Sequence, residues 1–377
     1  MDTGTTAVDL ARLARVGGLV REEIVRAGGA IPFPRFMELA LYAPGDGYYE
    51  HSPARVGRGG DFYTSVSVGS VFGELLAWQF LEWAEAAGWD RVQWVEAGAH
   101  DGRLASDMLA WIDARRPDWR DRVEYVVVEP SETRRGWQRG RLEPHAGRVT
   151  WVDRVPEGVR GVVFGNELLD AFPIERLGWD AGARTWFRFG VGIGSDGFAW
   201  TRMALSPGAA VPLPELPAVL LDVLPDGFVW ECSPAAEGWW SDAGRALAGG
   251  WMVAIDYGLT ETEFFTPGRT RGTLRGYGNH RFVDEVLAEP GGVDLTAHVN
   301  FTRIERAGIA AGLGEGSLTE QRQFLTRIMG RTLGPASGFG AWTQARTRQF
   351  QTLTHPQHLG RSFRVLVQEK RVGYHAK

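Results

Sequence analysis

Cysteine is nearly absent from this sequence of 377 residues, which has a single thiol at Cys232. One cysteine excludes an internal disulfide and a zinc site built from several thiolates. No His-x-x-x-His spacing provides another metal-binding pattern. We therefore expect a protein without a metal site that lies in a reducing compartment, the cytoplasm.

A long apolar run and an excess of basic residues are missing as well. No stretch reaches the roughly 18 apolar residues that a membrane-spanning helix needs. The chain has 41 basic and 46 acidic residues and a net charge of -5, which does not favour nucleic-acid binding. The N-terminal stretch Met1–Ala30 combines acidic residues with apolar residues at helical spacing, so it predicts an amphipathic helix rather than a cleaved targeting peptide.

A glycine turn follows the apolar stretch Val92–Val95 and leads into a helical pattern. The turn is Glu96–Gly102, and glycines at its third and last positions let the backbone approach a ligand. It matches neither G-x-G-x-x-G nor G-x-x-x-x-G-K-[ST], so dinucleotides and triphosphates are disfavoured. We expect Glu96, Gly98, Ala99 and Gly102 to face a cofactor, because a larger side chain at either glycine would fill the crevice.

A second apolar strand, Tyr125–Val128, ends in Glu129 and Pro130, 31 residues after Gly98. A carboxylate at this place typically accepts hydrogen bonds from ribose hydroxyls. S-adenosylmethionine has a ribose but no phosphate, so it fits the two strands best. The alternative is that Glu129 caps the following helix, as Ser131 can.

Further along the chain, apolar strands alternate with helices. This pattern predicts an α/β fold with a mostly parallel sheet covered on both faces. An insertion at Leu177–Gly250 contains a hairpin and is expected to overhang the ligand crevice. Late strands are expected at Thr273–Tyr277 and Ser362–Gln368. The chain then divides into an N-terminal helical region and cofactor-covering loop, a first core part, an inserted lobe and a second core part, at residues 1–90, 91–176, 177–250 and 251–377.

The strand at Val162–Phe164 leads to Asn166 and Glu167 at its carboxyl end, with Asp170 one helical step further on the same side. Two carboxylates there can hold a guanidinium in a bidentate grip while one of its nitrogens attacks a methyl group. We expect all three residues to be catalytic, and Asn166 also to contact the cofactor. The alternative is that Asn166 caps a helix whose first turn contains the two acids.

Motifs along nearly the whole chain resemble the MidA-like family of S-adenosylmethionine-dependent methyltransferases, which is related to the mitochondrial assembly factor of respiratory complex I. The matching segments are Tyr42–Tyr49, Gly60–Ser65, Phe72–Glu74, Glu96–Gly102, Asn166–Pro173, Ser233–Glu237, Asp256–Gly258, Asp294–His298 and His355–Gly360. The resemblance implies a class I, Rossmann-like fold with a seven-stranded sheet, N-terminal helices and an inserted lobe. It also implies an arginine of a partner protein as acceptor. A respiratory-complex subunit is then a candidate partner, and we expect a homodimer.

The same resemblance implies that Asp61, Phe62, Thr64 and Ser65 close over the methionine end of the cofactor, although this loop also has the pattern of a helix cap. It implies further that His280 and Asp256 line the acceptor channel. Where the family usually has Pro-Glu after Thr-Ser, this chain has Val66–Ser67, which removes a carboxylate. A small-molecule N- or O-methyltransferase and a non-catalytic, cofactor-binding assembly factor therefore remain alternatives.

Overall fold

The computed structural model describes residues 7–51, 64–205, 211–278, 281–357 and 359–371. The chain forms two compact units. The sheet unit consists of Pro53–Leu169, Gly238–Gly258 and Phe301–Lys377, and the lobe unit consists of Met1–Ser52, Asp170–Glu237 and Leu259–Asn300.

The helices, in chain order, are α1 (Ala7–Arg26), α2 (Phe33–Tyr42), α3 (Tyr48–His51), α4 (Ser65–Val68), α5 (Val71–Ala86), α6 (Arg103–Arg115), α7 (Glu132–Arg141), α8 (Ala218–Leu221), α9 (Pro234–Ala246), α10 (Glu261–Phe264), α11 (Phe301–Ala310), α12 (Gln321–Thr332), α13 (Gln344–Thr354) and α14 (Leu359–Ser362). Short 3-10 turns lie at Pro117–Trp119, Glu143–Arg148, Leu169–Ala171 and Pro335–Ser337. Within the described ranges, no helix is long and apolar enough to cross a bilayer.

The strands are β1 (Ala30–Pro32), β2 (Val92–Ala97), β3 (Val123–Val128), β4 (Val149–Val152), β5 (Val159–Asn166), β6 (Glu175–Asp180), β7 (Thr185–Gly194), β8 (Gly197–Met203), β9 (Val229–Cys232), β10 (Leu247–Leu259), β11 (Arg275–Gly278), β12 (Arg281–Val283), β13 (Asp294–Thr296), β14 (Val299–Asn300), β15 (Ser317–Glu320) and β16 (Phe363–Lys370).

The sheet unit is built on a mixed sheet with the strand order β15-β16-β10-β5-β2-β3-β4. Neighbours from β10 to β4 along this path pair in parallel, whereas β16 is antiparallel to both β10 and β15. The predicted α/β class with parallel strands is therefore present, in a sheet that is mixed. The predicted late strand Thr273–Tyr277 overlaps β11, which pairs with β12 and β13 in a separate small sheet of the lobe unit.

Large aromatic side chains on one face of this sheet explain why the strands and helices pack together. Trp94, Tyr125 and Phe164 come from three adjacent strands and are at most 1% exposed. Phe80 of α5 lies against this row, with ring centroids 5.8 Å from Trp94 and 5.2 Å from Phe164 in edge-to-face geometry. Each such aromatic pair contributes about 1 kcal/mol beyond its buried area.

The lobe unit contains an antiparallel sheet in the order β1-β7-β6-β9, with β8 paired to β7. Strands β7 and β8 form the hairpin that the sequence predicts, in register from Arg188 opposite Met203 to Gly194 opposite Gly197. The lobe unit is held together by apolar clusters, which include Phe36 of α2 and Trp230 of β9, both fully buried.

Close approach of the central strands generates a stability prediction. A Cβ added at Gly161 of β5 would lie 1.9 Å from the backbone oxygen of Gln93 on β2, so a strand must move to accommodate it. We expect Gly161→Ala to lower the free energy of unfolding by about 3 kcal/mol, the upper end for an overfilled core. Chemical denaturation followed by circular dichroism measures this change.

Gly140→Ala is the matched control, because Gly140 lies in α7 with no atom within 4 Å of an added Cβ. Alanine favours a helix over glycine, so this variant should be unchanged or slightly more stable. Equal losses in the two variants would contradict the close approach of β5 to β2.

Candidate functional site

The carboxyl ends of four parallel strands meet at one edge of the mixed sheet. Ala97 at the end of β2 lies opposite both Val128 of β3 and Gly165 of β5. Ile255 of β10 lies opposite Asn166 at the end of β5. The segments that follow these strands therefore start side by side, which is where open α/β sheets bind ligands.

The glycine turn after β2 has a left-handed backbone at three positions. The φ angles are 73° at Gly98, 46° at His100 and 83° at Gly102, which is the N-cap of α6. A Cβ at Gly98 would lie 2.9 Å from Cδ1 of Leu168. Packing against the protein's own side chains is therefore a second reason for glycine here, and the cofactor crevice stays a prediction.

Gly102 shows the same effect, since a Cβ there would lie 3.1 Å from Cδ1 of Leu142. The residues between the glycines hold the turn. Asp101 accepts a hydrogen bond from the backbone N–H of Arg103 at 3.1 Å and pairs with Arg141 at 2.6 Å. Burial acts to raise the pKa of Asp101, but the imidazole of His100, with its Nδ1 3.8 Å from Oδ1, and the charge of Arg141 outweigh it, so the pKa is lowered.

Glu96, at the end of β2, is a buried carboxyl group with 2% exposure. The hydroxyl of Tyr125 donates a hydrogen bond to its Oε2 at 2.5 Å. Burial raises the pKa of Glu96 to about 7; the Tyr125 hydrogen bond lowers it, and the charge of Asp101 raises it further. Protonation of Glu96 is thus sensitive to any new charge nearby. Tyr125 was predicted only as part of a strand; it shares a face of the sheet with Val127, which lies opposite Glu96.

Glu129, at the end of β3, is also 2% exposed, and it has cationic and neutral donors around it. Its Oε1 pairs with Arg134 at 2.8 Å and accepts the N–H of Ser131 at 2.9 Å. The amide of Gln138 donates to its Oε2 at 3.3 Å. Ser131 itself caps α7 by accepting the N–H of Arg134, so the predicted capping role belongs to that serine. Pro130, the other predicted residue here, is exposed.

The loop expected to cover the cofactor is described only from Thr64 onward, so the predictions for Asp61 and Phe62 lie outside the described residues. Thr64 is the N-cap of α4, where its hydroxyl accepts the N–H of Ser67 at 3.2 Å. Ser65 is fully buried and donates to Oε1 of Gln321 at 3.1 Å. The capping alternative is therefore present for Thr64, whereas the hydroxyl of Ser65 joins α4 to α12.

Asn166 and Glu167 form the turn after β5. Glu167 has φ of 52°, a left-handed conformation that is strained for a residue other than glycine and is typical of functional sites. The amide of Asn166 donates to Oε1 of Glu167 at 3.1 Å. Oδ1 of Asn166 is buried without a hydrogen-bond partner among the described residues, so a donor from a ligand fits here.

Asp256, at the end of β10, is 1% exposed and holds this turn. Its Oδ2 accepts the backbone N–H groups of Leu168 at 3.1 Å and Leu169 at 2.8 Å. Its Oδ1 accepts the N–H of Tyr257 at 2.8 Å. Backbone contacts of this kind fit a positioning residue better than a wall of the acceptor channel.

Asp170 lies in the lobe unit, and the chain before it does not form the predicted α-helix. Leu169–Ala171 is a single 3-10 turn, and the left-handed Glu167 breaks helical spacing to Asp170. Burial raises the pKa of Asp170 to about 7. The backbone oxygen of Asp170 accepts the N–H of Ala297 at 3.2 Å, which joins it to the segment after β13.

Two further residues of the lobe unit, Tyr49 and Asp294, lie close to Asp170, although the sequence predicted no role for them. The hydroxyl of Tyr49 donates to Oδ1 of Asp294 at 2.7 Å. Burial raises the pKa of Tyr49 well above 10, and the charges of Asp294 and Asp170 add to this effect. Both residues lie in segments that resemble the family, Tyr42–Tyr49 and Asp294–His298, and this was the sign in the sequence that could have pointed to them. His280 lies outside the described residues.

Metal binding has no structural support within the described ranges, where no group of three or more His, Cys, Asp or Glu side chains is arranged to hold an ion.

Comparison with known proteins identifies the cofactor. A family model for S-adenosyl-L-methionine-dependent methyltransferases matches residues 75–315. A crystal structure of a superfamily member from Burkholderia thailandensis, bound to S-adenosyl-homocysteine, is 31% identical, covers 98% of this chain and 95% of its own, and has a TM-score of 0.84. The predicted cofactor is confirmed, and the dinucleotide alternative is excluded.

Curated relatives share most of the chain. Protein arginine methyltransferase NDUFAF7, mitochondrial, from Mus musculus is 27% identical over 90% of this chain and 81% of its own. The Drosophila melanogaster homologue of the same name is 28% identical over 90% of this chain and 81% of its own.

The names of these relatives overturn one prediction. A cytoplasmic location is wrong, because the relatives are named as mitochondrial proteins. The error has a physical reason: the number of cysteines reports redox conditions and cannot distinguish between reducing compartments. The match of the family model and the similarity over the whole fold agree on the activity. The chain belongs to the family of S-adenosyl-L-methionine-dependent methyltransferases.

Proposed function

We propose that the chain transfers a methyl group to an arginine side chain of a partner protein. The observation that carries this proposal is the pairing of β2 with β5, in which Ala97 lies opposite Gly165. Because of this pairing, the glycine turn and the Asn166–Glu167 turn begin side by side. A cofactor bound at the glycine turn then has the carboxylate of Glu167 beside it. The relatives named as protein arginine methyltransferases support arginine as the acceptor.

At the cofactor end, we assign the ribose hydroxyls to Glu129, whose Oε2 accepts from Gln138 at 3.3 Å and, as a carboxylate oxygen, can accept a further charge-assisted hydrogen bond. The backbone of Gly98, Ala99 and Gly102 lines the approach to the cofactor. The unpartnered Oδ1 of Asn166 accepts a hydrogen bond from an N–H or O–H group of the cofactor. Asp61, Phe62, Thr64 and Ser65 are proposed, by family resemblance, to cover its methionine end, and Glu96 and Pro130 to border it.

At the acceptor end, we assign Glu167 to the guanidinium of the incoming arginine. Its left-handed backbone and its hydrogen bond from Asn166 fix the direction of the carboxylate before the acceptor arrives. Such fixed direction matters because methyl transfer depends mainly on alignment of the nucleophile with the methyl carbon. Asp170 remains a prediction for the same role, and His280 remains a prediction for the lining of the acceptor channel.

When bound, S-adenosylmethionine supplies the methyl group. The carboxylate of Glu167 holds the guanidinium by paired hydrogen bonds and offsets its positive charge, so that one nitrogen can offer its lone pair. Methylation of a guanidinium nitrogen releases one N–H proton. A carboxylate that contacts this nitrogen is placed to accept the proton and pass it to water.

The finer description of the fold belongs to the same proposal. The strand order, with one antiparallel strand inserted beside β10, fits a class I, Rossmann-like methyltransferase with a mostly parallel sheet of seven strands. We propose that the inserted lobe recognises the acceptor protein. A respiratory-complex subunit as this acceptor and a homodimer as the working form are further parts of the proposal, which rest on family resemblance.

Labelled methyl transfer tests the proposal as a whole. The purified protein is incubated with radiolabelled S-adenosylmethionine and cell lysate, and mass spectrometry identifies the modified residue. Methylarginine in a protein is the expected result. Label only in small molecules would favour the N- or O-methyltransferase alternative, and cofactor binding without any transfer would favour the assembly-factor alternative.

Cofactor binding should release protons below neutral pH, because an α-ammonium group, which S-adenosylmethionine and S-adenosyl-homocysteine share, favours the carboxylate form of Glu96 when it lies beside it. The pKa of Glu96 is about 7 in the free protein, so affinity should rise with pH up to about 7 and then level off. Calorimetry of S-adenosyl-homocysteine binding at pH 6.5, in two buffers of different ionisation enthalpy, measures the protons released. Glu96→Gln should bind without releasing them; equal release in both proteins would exclude Glu96.

Replacing the proposed acceptor carboxylate should separate binding from transfer. Glu167→Gln keeps the shape of the side chain and removes its charge, so we expect methyl transfer to protein arginine to fall by roughly 100-fold, with cofactor affinity within a few-fold. Label incorporation and calorimetry measure the two effects. Glu315→Gln, an exposed acid of the same unit, is the control. Unchanged transfer in Glu167→Gln would remove this residue from the mechanism.

A further inference from the structure

Leu168 stands between the two turns that the proposed function needs. Its side chain occupies the space left by two glycines: a Cβ at Gly98 would lie 2.9 Å from its Cδ1, and a Cβ at Gly165 would lie 2.7 Å from its Cδ2. Gly98 belongs to the cofactor turn, while Leu168 follows Glu167 directly. Leu168 therefore packs its side chain against the cofactor turn, and its backbone continues directly from the turn that contains Glu167.

Asp256 binds the backbone of Leu168. Its Oδ2 accepts the N–H groups of both Leu168 and Leu169, and the N–H of Glu167 donates to the backbone oxygen of Ile255 at 2.9 Å. Three successive N–H groups are thus tied to the end of β10. These bonds keep Glu167 at its φ of 52°, a conformation that persists only where its surroundings enforce it.

We propose that Asp256 and Leu168 are positioning residues that couple the cofactor turn to the direction of Glu167. Neither residue needs to touch the acceptor. A ligand that orders the backbone at Gly98 restrains Leu168, and Leu168 restrains the turn of Glu167, which Asp256 anchors. The acceptor carboxylate is then held most firmly when the cofactor is in place. This inference rests on the proposed function, because it assumes that the ligand occupies the turn at Gly98.

Hydrogen exchange of the amides of Leu168 and Leu169 tests the coupling without an acceptor protein. Saturating S-adenosyl-homocysteine should slow the exchange of these amides about tenfold in the wild type, a typical size for coupling between sites. Leu168→Ala keeps both amides and removes the side chain. It should still bind S-adenosyl-homocysteine, but the slowing should fall to less than about threefold.

Asp256→Asn tests the anchor. The neutral amide has one acceptor oxygen instead of two and is a weaker acceptor than a carboxylate, so it cannot serve the N–H groups of Leu168, Leu169 and Tyr257 together, and exchange at both leucine amides should be faster with and without S-adenosyl-homocysteine. Methyl transfer to lysate proteins should fall while the affinity for S-adenosyl-homocysteine stays within a few-fold. If Asp256 only stabilised the fold, Asp256→Asn would lower stability, and methyl transfer and the affinity for S-adenosyl-homocysteine would fall together.

Two matched variants in the same unit control for loss of packing or of a carboxylate that accepts a backbone N–H. Leu318→Ala removes a half-buried leucine of β15, and Glu305→Gln alters an acid that accepts the N–H of Gly316 at 2.7 Å. Both should keep the slowing of exchange seen in the wild type.

The outcomes distinguish the inference from the function beneath it. No calorimetric binding of S-adenosyl-homocysteine to the wild type would overturn both. Binding with unchanged exchange at Leu168 and Leu169, or the same slowing in Leu168→Ala as in the wild type, would overturn the coupling alone.

Discussion

The parallel register of β3, β2, β5 and β10 is the constraint on which the rest of the site depends. Because Ala97 is opposite Val128 and Gly165, and Ile255 is opposite Asn166, four chain segments leave the sheet at one edge. A shift of one residue in any pair would turn its side chains to the other face of the sheet. Close backbone approach at Gly161 and the aromatic row beneath the strands stabilise this register.

Buried carboxyl groups at this edge differ in what satisfies them, and so they differ in what they can do. Glu129 has a guanidinium and two neutral donors, which suits an ionised hydrogen-bond acceptor. Asp256 is surrounded by backbone N–H groups and acts on the shape of a turn. Glu96 accepts a hydrogen bond from the hydroxyl of Tyr125, and burial raises the pKa of Glu96 to about 7. Environment, rather than residue type, separates the three.

The sequence predicted the elements that depend on local pattern. The apolar stretches Val92–Val95 and Tyr125–Val128 lie within β2 and β3, because alternation of apolar strands and helices is a local signal. Thr273–Tyr277 was predicted as a strand without a partner, because an apolar run does not say which strand it will pair with, and it overlaps β11 of the small sheet. Glu96, Glu129 and Asn166 lie at strand ends, which mark the ligand edge of such sheets, and their contacts with the cofactor stay predictions.

The conformation of Glu167 could not be read from the sequence, which predicted a helix there. Its left-handed backbone depends on Asp256, 88 residues beyond Leu168 in the chain. The packing of Leu168 against Gly98 could not be read from the sequence either. Both features depend on contacts between distant segments. The residue that links them, Leu168, has no chemistry of its own, and only its position between two turns gives it a part in the site.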